Sequence, residues 1–344
     1  MSVTRHVLPP GSLPAAAGRP SLPRHNPVDA ADTSGWDGPV RRIHDEEDAT
    51  DPAVVRALLR EQWPAGADLP LRAVAGTGTD HAVYRLGARH LVRVPRTPAA
   101  AASLAGEVGW LPWLAPRLTV AVPEVEHVGT PAAGYPHPWA VLRWLGGRDA
   151  WAAREAVEDP HGSDLADDLA DAVLALRDGV HPDVPARDTG RRGGPLAGVL
   201  ERAHQWLEGA SGPLPDDVDV AAVRRLLHAL PDAADDDVPY VLSHGDLIPG
   251  NLLLHGRRLS AVIDWGYLST ADPALDLVPA WAVLGPRARA RFRARLAPDD
   301  ATWERARANA LEQALGALAY YTPRRHPLAD VMRRTLRRIL ADAG

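Results

Sequence analysis

The chain has 344 residues, enough for two lobes with a sizeable buried core. Its 46% hydrophobic and 24% charged content is that of a globular protein, and a formal net charge of −6 gives nucleic-acid phosphates no basic face to bind. Cysteine is absent, which excludes disulfides and thiolate metal sites. No apolar run approaches the roughly 18 residues of a membrane helix, and the start lacks a basic segment followed by an apolar core, so the expected location is cytoplasmic. Lysine is absent too: all 38 residues counted as Lys and Arg are Arg, so any role that needs a long cationic side chain falls to Arg.

Residues 1–40 are rich in Pro, Ala, Gly and Ser without apolar periodicity, and we expect a disordered extension. Asp51-Pro52 then caps a helix whose stripe is Val54, Val55, Leu58 and Leu59. Strands are expected at Leu71 to Ala75, Ala82 to Leu86 and His90 to Pro95, followed by a helix from Thr97 to Leu114 and strands at Val125 to Val128 and Trp139 to Leu145. From Ala150 the pattern is helical. Helices are read at Asp164 to Arg177, Leu196 to Leu207, Val218 to Leu230, Leu275 to Leu284, Pro286 to Leu296, Ala301 to Tyr320 and Ala329 to Ala341. Residues 41–145 thus read as a small antiparallel-sheet lobe with one helix, and residues 146–344 as a larger helical lobe interrupted by one hairpin.

The hairpin region carries the strongest pattern. Asp246 and Asn251 stand five positions apart in His244-Gly245-Asp246-Leu247-Ile248-Pro249-Gly250-Asn251, and Asp264 follows in Val262-Ile263-Asp264-Trp265-Gly266. A D-x-x-x-x-N loop followed by Asp-aromatic-Gly supplies one carboxylate to accept a hydroxyl proton and two hard-oxygen ligands for Mg²⁺, the arrangement of a kinase-type site. His244 reads as a packed support of that loop. Asp276, in Asp272-Pro273-Ala274-Leu275-Asp276-Leu277, reads as a second support or a helix cap. In the strand-rich part, Gly76-Thr77-Gly78 joins two strands with no helix after it, which argues against a Rossmann or Walker loop. Turn geometry alone explains such glycines, but the loop can also lie over nucleotide phosphates. Arg93 alternates with Val92 and Val94 and so faces away from them; it reads either as an exposed strand Arg or as a phosphate ligand held by Glu107. No H-E-x-x-H and no G-x-S-x-G occurs.

These motifs resemble the aminoglycoside phosphotransferase family, the small-molecule branch of the protein-kinase-like fold. The likeness runs from about Arg41 to Leu340 and is carried by Ser243-His244-Gly245-Asp246, Pro249-Gly250-Asn251-Leu252-Leu253, Ile263-Asp264-Trp265-Gly266 and Asp272-Pro273-Ala274-Leu275-Asp276-Leu277. The resemblance implies an α+β bilobal fold and ATP-dependent, Mg²⁺-assisted phosphorylation of a hydroxyl on a small molecule. In that reading Asp246 is the catalytic carboxylate, and Asn251 and Asp264 hold the metal. Gly76, Gly78, Arg93 and Glu107 serve the phosphates, and the backbone of Arg143 to Leu145 serves the adenine. Two departures stand out: Arg93 replaces the kinase Lys, and His81 stands where similar sequences often have Asn, a change read as minor. An aminoglycoside-like acceptor is the leading expectation, and the Asp164, Asp167, Asp168 and Asp171 face could serve a polycation; a solvated helix face is the simpler reading. A macrolide or amino-alcohol acceptor and a catalytically inactive nucleotide sensor are the alternatives. Phosphorylation of protein Ser or Thr ranks lowest, because no Ala-Pro-Glu element follows Asp264.

Overall fold

The computed structural model describes residues 42–74, 78–158, 163–179, 181, 183–187, 192–210, 212–230 and 238–342, all within the unit spanning residues 35–344. The expected extension over residues 1–40 and the glycine at position 76 lie outside the described residues.

Helix α1 (Pro52–Gln62) begins where the Asp51 side chain accepts hydrogen bonds from the amides of Ala53 and Val54, with Pro52 in the first turn. It turns Val55, Leu58 and Leu59 into a core shared with one face of an antiparallel sheet. The strands are β1 (Leu71–Ala73), β2 (His81–Leu86), β3 (His90–Pro95), β4 (Val125–Gly129) and β5 (Trp139–Arg143), in the order β1-β2-β3-β5-β4. Alternation decides the faces: Ala82, Tyr84, Leu86, Val92 and Val94 enter the α1 core, so Arg93 and its diagonal neighbour His81 share the opposite face. Helix α2 (Pro98–Leu114), capped by Thr97, brings the fully buried Glu107 to that face.

The second core is helical. It is built from β6 (Arg148–Asp149), α3 (Arg154–Glu158), α4 (Ser163–Arg177), α5 (Leu196–Leu207), α6 (Val220–Ala229), β7 (Val241–Ser243), β8 (Leu252–His255), β9 (Arg258–Val262), β10 (Ser269–Ala271), α7 (Pro279–Ala282), α8 (Pro286–Leu296), α9 (Asp300–Tyr321) and α10 (Leu328–Asp342). The helix expected over Leu275 to Leu284 is instead a 3₁₀ turn, Leu275–Leu277, followed by α7. Pro279 has no N–H to offer Leu275 and instead opens α7 as its first residue, where no intrahelical donor is needed. Strands β7 and β10 pair antiparallel, as do β8 and β9. The turns after β7 and β9 therefore meet, and the Ile263 amide bonds the Asn251 carbonyl at 3.0 Å.

Candidate active site

The turn after β7 needs its glycine. Gly245 has φ +80°, and a Cβ there would lie 1.9 Å from Arg187 Nη2 and 2.9 Å from the Tyr267 carbonyl. Asp276 fastens the turn: its two oxygens accept from the amides of His244 (3.0 Å) and Gly245 (3.1 Å). His244 is fully buried. Its Nδ1 accepts from the Asp246 amide at 3.2 Å, which assigns the ring proton to Nε2, placed 3.1 Å from the Ile263 carbonyl. The ring packs edge-on against Trp265, with centroids 4.5 Å apart.

The Asp246 carboxylate is held on both oxygens. Asn251 Nδ2 donates to Oδ2 at 3.1 Å and to the Asp246 carbonyl at 2.8 Å; Gln313 Nε2 donates to Oδ1 at 3.1 Å. The Arg192 guanidinium lies 3.5 Å from the same Oδ1. Burial pushes the Asp246 carboxyl above its usual range, Arg192 pulls it back, and the charge on Asp264 adds to the rise.

Arg93 is the centre of the sheet-lobe side. Its Nη1 donates to Glu107 Oε2, while Nη2 donates to Asp264 Oδ1 at 2.7 Å and lies 2.8 Å from His81 Nδ1. The other Glu107 oxygen accepts from the Trp265 amide at 3.2 Å, so Glu107 ties β3 to the Asp264 turn. Burial opposes the Arg93 charge, but Glu107 and Asp264 outweigh it and raise the guanidinium further. Asp264 is likewise opposed by burial yet is held below its usual range, chiefly by Arg93. Burial lifts Glu107 to about 7 against the pull of Arg93. His81 is pushed down to about 3 by burial and by Arg93, so its ring is neutral and Nδ1 is an acceptor. Asp264 itself sits in the left-handed region (φ 66°, ψ 65°). Gly266 lets α2 approach, since a Cβ there would lie 2.0 Å from Ser103 Oγ.

The structure therefore brings together Asp246 and Asn251 on one side, and Arg93, Glu107 and Asp264 on the other, with His244 and Asp276 beneath the loop. Gly78 has open space where a Cβ would stand, so no contact among the described residues demands a glycine there. Arg143 ends β5, with its amide bonded to the Glu124 carbonyl and its exposed side chain paired with Glu124 at 2.5 Å; the Trp144 amide is bonded to the Arg89 carbonyl, and Leu145 is half-buried just beyond. The acidic face of α4 does not stand free. Asp168 pairs with Arg258 of β9 at 2.6 Å, Asp167 with Arg291 at 2.6 Å, and Asp171 with Arg295, the last two on α8. Arg192, Gln313 and the Tyr267 hydroxyl, which donates to Asp80 at 2.9 Å, are site residues that the sequence did not single out. They come from a loop, a helix and a turn far apart in the chain, and no local pattern marks them.

A divalent cation is the group this kind of site implies, and the donor set fits one. Asn251 turns its amide nitrogen to Asp246, which leaves its oxygen facing away, and Asp264 supplies a carboxylate. Among the described residues no group of three or more His, Cys, Asp or Glu is placed to hold a metal. Two protein oxygens with phosphates completing the shell is the way Mg²⁺ is bound at nucleotide sites.

A small antiparallel sheet lobe, a larger helical lobe and this site between them define a protein-kinase-like fold of the α+β class. A family model described as the phosphotransferase enzyme family (APH) matches residues 71–311, and the chain belongs to that family. It is a small-molecule O-phosphotransferase. Among solved structures, the GDP complex of an aminoglycoside 2'-phosphotransferase is similar at 18% identity and TM-score 0.64, covering 83% of this chain and 97% of that one. The GDP and kanamycin complex of a related phosphotransferase is similar at 17% identity and TM-score 0.63, with the same coverage. The macrolide 2'-phosphotransferase of Brachybacterium faecium is similar at 24% identity and TM-score 0.54, again over 83% and 97%. None of the curated proteins matches the chain.

Proposed function

We propose that the chain transfers the γ-phosphate of ATP, bound with Mg²⁺, to a hydroxyl of a small molecule, with Asp246 accepting the hydroxyl proton. The observation that carries this reading is the Asp246 carboxylate, oriented by Asn251 and Gln313 in the same cleft as the Arg93–Glu107–Asp264 chain. The acceptor oxygen forms its bond to the γ-phosphorus as the bond to the ADP oxygen breaks, and its proton passes to Asp246. Arg93 faces the phosphates with a fork fixed by Glu107, so no reorganisation is needed as charge develops. Asn251 and Asp264 would hold Mg²⁺, which when bound offsets the negative charge of the triphosphate. Gly76 and Gly78 would let backbone amides approach the phosphates, and the adenine would lie along Arg143 to Leu145, with Leu145 offering its backbone because the Arg143 and Trp144 amides are engaged. A cytoplasmic setting, where ATP and Mg²⁺ are at hand, fits this activity, and the net charge of −6 gives a nucleic-acid partner no electrostatic support.

An aminoglycoside-like acceptor is the reading that the aminoglycoside 2'-phosphotransferases among the neighbours support. One observation favours a less cationic acceptor, such as a macrolide or an amino alcohol: Asp167, Asp168 and Asp171 of α4 are paired with arginines, and Arg192 stands beside Asp246. A panel of kanamycin, gentamicin, streptomycin, a macrolide and simple amino alcohols, assayed with ATP and with GTP, separates the two. With the acceptor in hand, Asp246→Ala should lower transfer by about a hundredfold or more while nucleotide binding persists. Wild-type transfer by that variant would remove Asp246 from the mechanism.

A further inference from the structure

We infer that His81 is a positioning residue for the phosphate-binding cation, and that His81 and Arg93 form a matched pair in which the imidazole supplies the acceptor that an arginine needs at this place. The inference rests on the nucleotide reading above. It begins with an accounting of hydrogens. A lysine ammonium at position 93 would be satisfied by Glu107, Asp264 and a phosphate. An arginine brings five N–H groups in a rigid fork, and each one left without an acceptor in a buried setting carries a desolvation penalty. Arg93 is 6% exposed. Nη2 has two hydrogens: one is aimed at Asp264 Oδ1 (2.7 Å), the other at His81 Nδ1 (2.8 Å).

The β2–β3 register makes this contact available. His81 stands opposite Pro95 and Val83 opposite Arg93, so His81 and Arg93 are diagonal neighbours on the face turned toward α2. His81 is also 6% exposed. The geometry separates two tasks. Glu107 and His81 grip the guanidinium from the protein side, one on each terminal nitrogen. Asp264 then remains the one partner of the fork that also faces the cation and phosphate side. When that carboxylate turns to a bound nucleotide, Arg93 is still held at two points and its plane stays fixed.

The test compares wild type with His81→Leu, which fills the space without an acceptor, and His81→Asn, which supplies an acceptor with less volume. Each is also made with Arg93→Lys. Dissociation constants for ATP in the presence of Mg²⁺ are measured by calorimetry, alongside thermal unfolding. We expect His81→Leu to weaken ATP binding roughly tenfold, as for a buried donor left unpaired. His81→Asn should stay within about threefold of wild type, and His81→Leu should cost nothing further beside Arg93→Lys, because the three donors of an ammonium are met by Glu107, Asp264 and a phosphate without the imidazole. If His81→Leu binds ATP as well as or better than His81→Asn, the imidazole only fills space and the inference falls; equal losses with and without the Arg93→Lys change overturn it too. If wild type binds no nucleoside triphosphate, the nucleotide reading fails, and unfolding midpoints then judge the pair. Non-additive shifts between positions 81 and 93 support it, and additive shifts overturn it.

Discussion

Arg192 stands 3.5 Å from Asp246 Oδ1, and its charge is the main force opposing the burial that lifts the Asp246 carboxyl. The sign of its removal follows directly. A cation stabilises the ionised carboxylate, so Arg192→Ala should raise the Asp246 pKa further. The acid limb of the kcat/KM profile, which reports that carboxylate in the free enzyme, should move to higher pH. A limb that stays in place or moves down would show that Asp246 is not the group titrating. The same variant should improve transfer to polycationic acceptors relative to neutral ones, if Arg192 repels them. At this scale the sequence was informative wherever chemistry needs a fixed spacing: Asp246, Asn251 and Asp264 are recognisable because one short loop and one hairpin must deliver all three. Arg192 and Gln313 were silent, since a loop and α9 bring them in from far along the chain. His81 was visible as a departure but read as minor. Its meaning depends on strand register, which puts it diagonal to Arg93.

The start of the loop after β7 is fastened by a buried carboxylate. Asp276 is 1% exposed, accepts both the His244 and Gly245 amides, and is carried by the 3₁₀ turn Leu275–Leu277 just before α7. Asp276→Ala leaves two buried N–H groups unpaired, each worth about 1–3 kcal/mol, so stability should fall by several kcal/mol and transfer should fall with it. Asp276→Asn keeps one accepting oxygen and should lie between Ala and wild type in denaturant melts. Equal stability of Ala and wild type would show that the loop holds itself. A contrasting case is α4, where periodicity gave the helix and its acidic face but not the destination of that face. Its carboxylates meet arginines of α8 and β9, a long-range match that no local pattern can announce. Exposed pairs of this kind are screened and contribute little. Asp167→Asn with Asp171→Asn should therefore leave the melting temperature nearly unchanged and the acceptor KM unchanged. A rise in KM for a cationic acceptor would return that face to the acceptor pocket.

The two lobes are also linked away from the contacts at the site. The chain crosses from sheet to helices after β5, and the segment before α1 forms a second bridge that the sequence marked only as the start of folded structure. Glu47 accepts from the amides of Ile43 and His44 and pairs with Arg96 beside the sheet. Arg324, just past α9, donates to the Ile43 carbonyl and pairs with Asp45. His44 joins the two sides: its Nε2 lies 3.3 Å from the carbonyl of Thr79, and its Nδ1 lies 2.8 Å from the Tyr320 hydroxyl on α9. Thr79 directly follows Gly78, and Asp80 after it accepts from Tyr267 of the Asp264 turn. Thr79 and Asp80 are thus held on one side by the N-terminal segment and on the other by the turn that follows Asp264. His44→Phe keeps a ring against Tyr320 but removes both bonds. Each such bond is worth about 0.5–1.5 kcal/mol, so the turn should loosen and nucleotide KM should rise by roughly two- to tenfold. The bonds His44 makes hold the loop and touch no reacting atom, so kcat at saturating nucleotide should change far less than KM. Steady-state kinetics at varied ATP, with hydrogen exchange across residues 78–86, reads both effects. Unchanged nucleotide KM together with faster exchange in that stretch would mean that this bridge steadies the sheet lobe without helping it to receive the nucleotide.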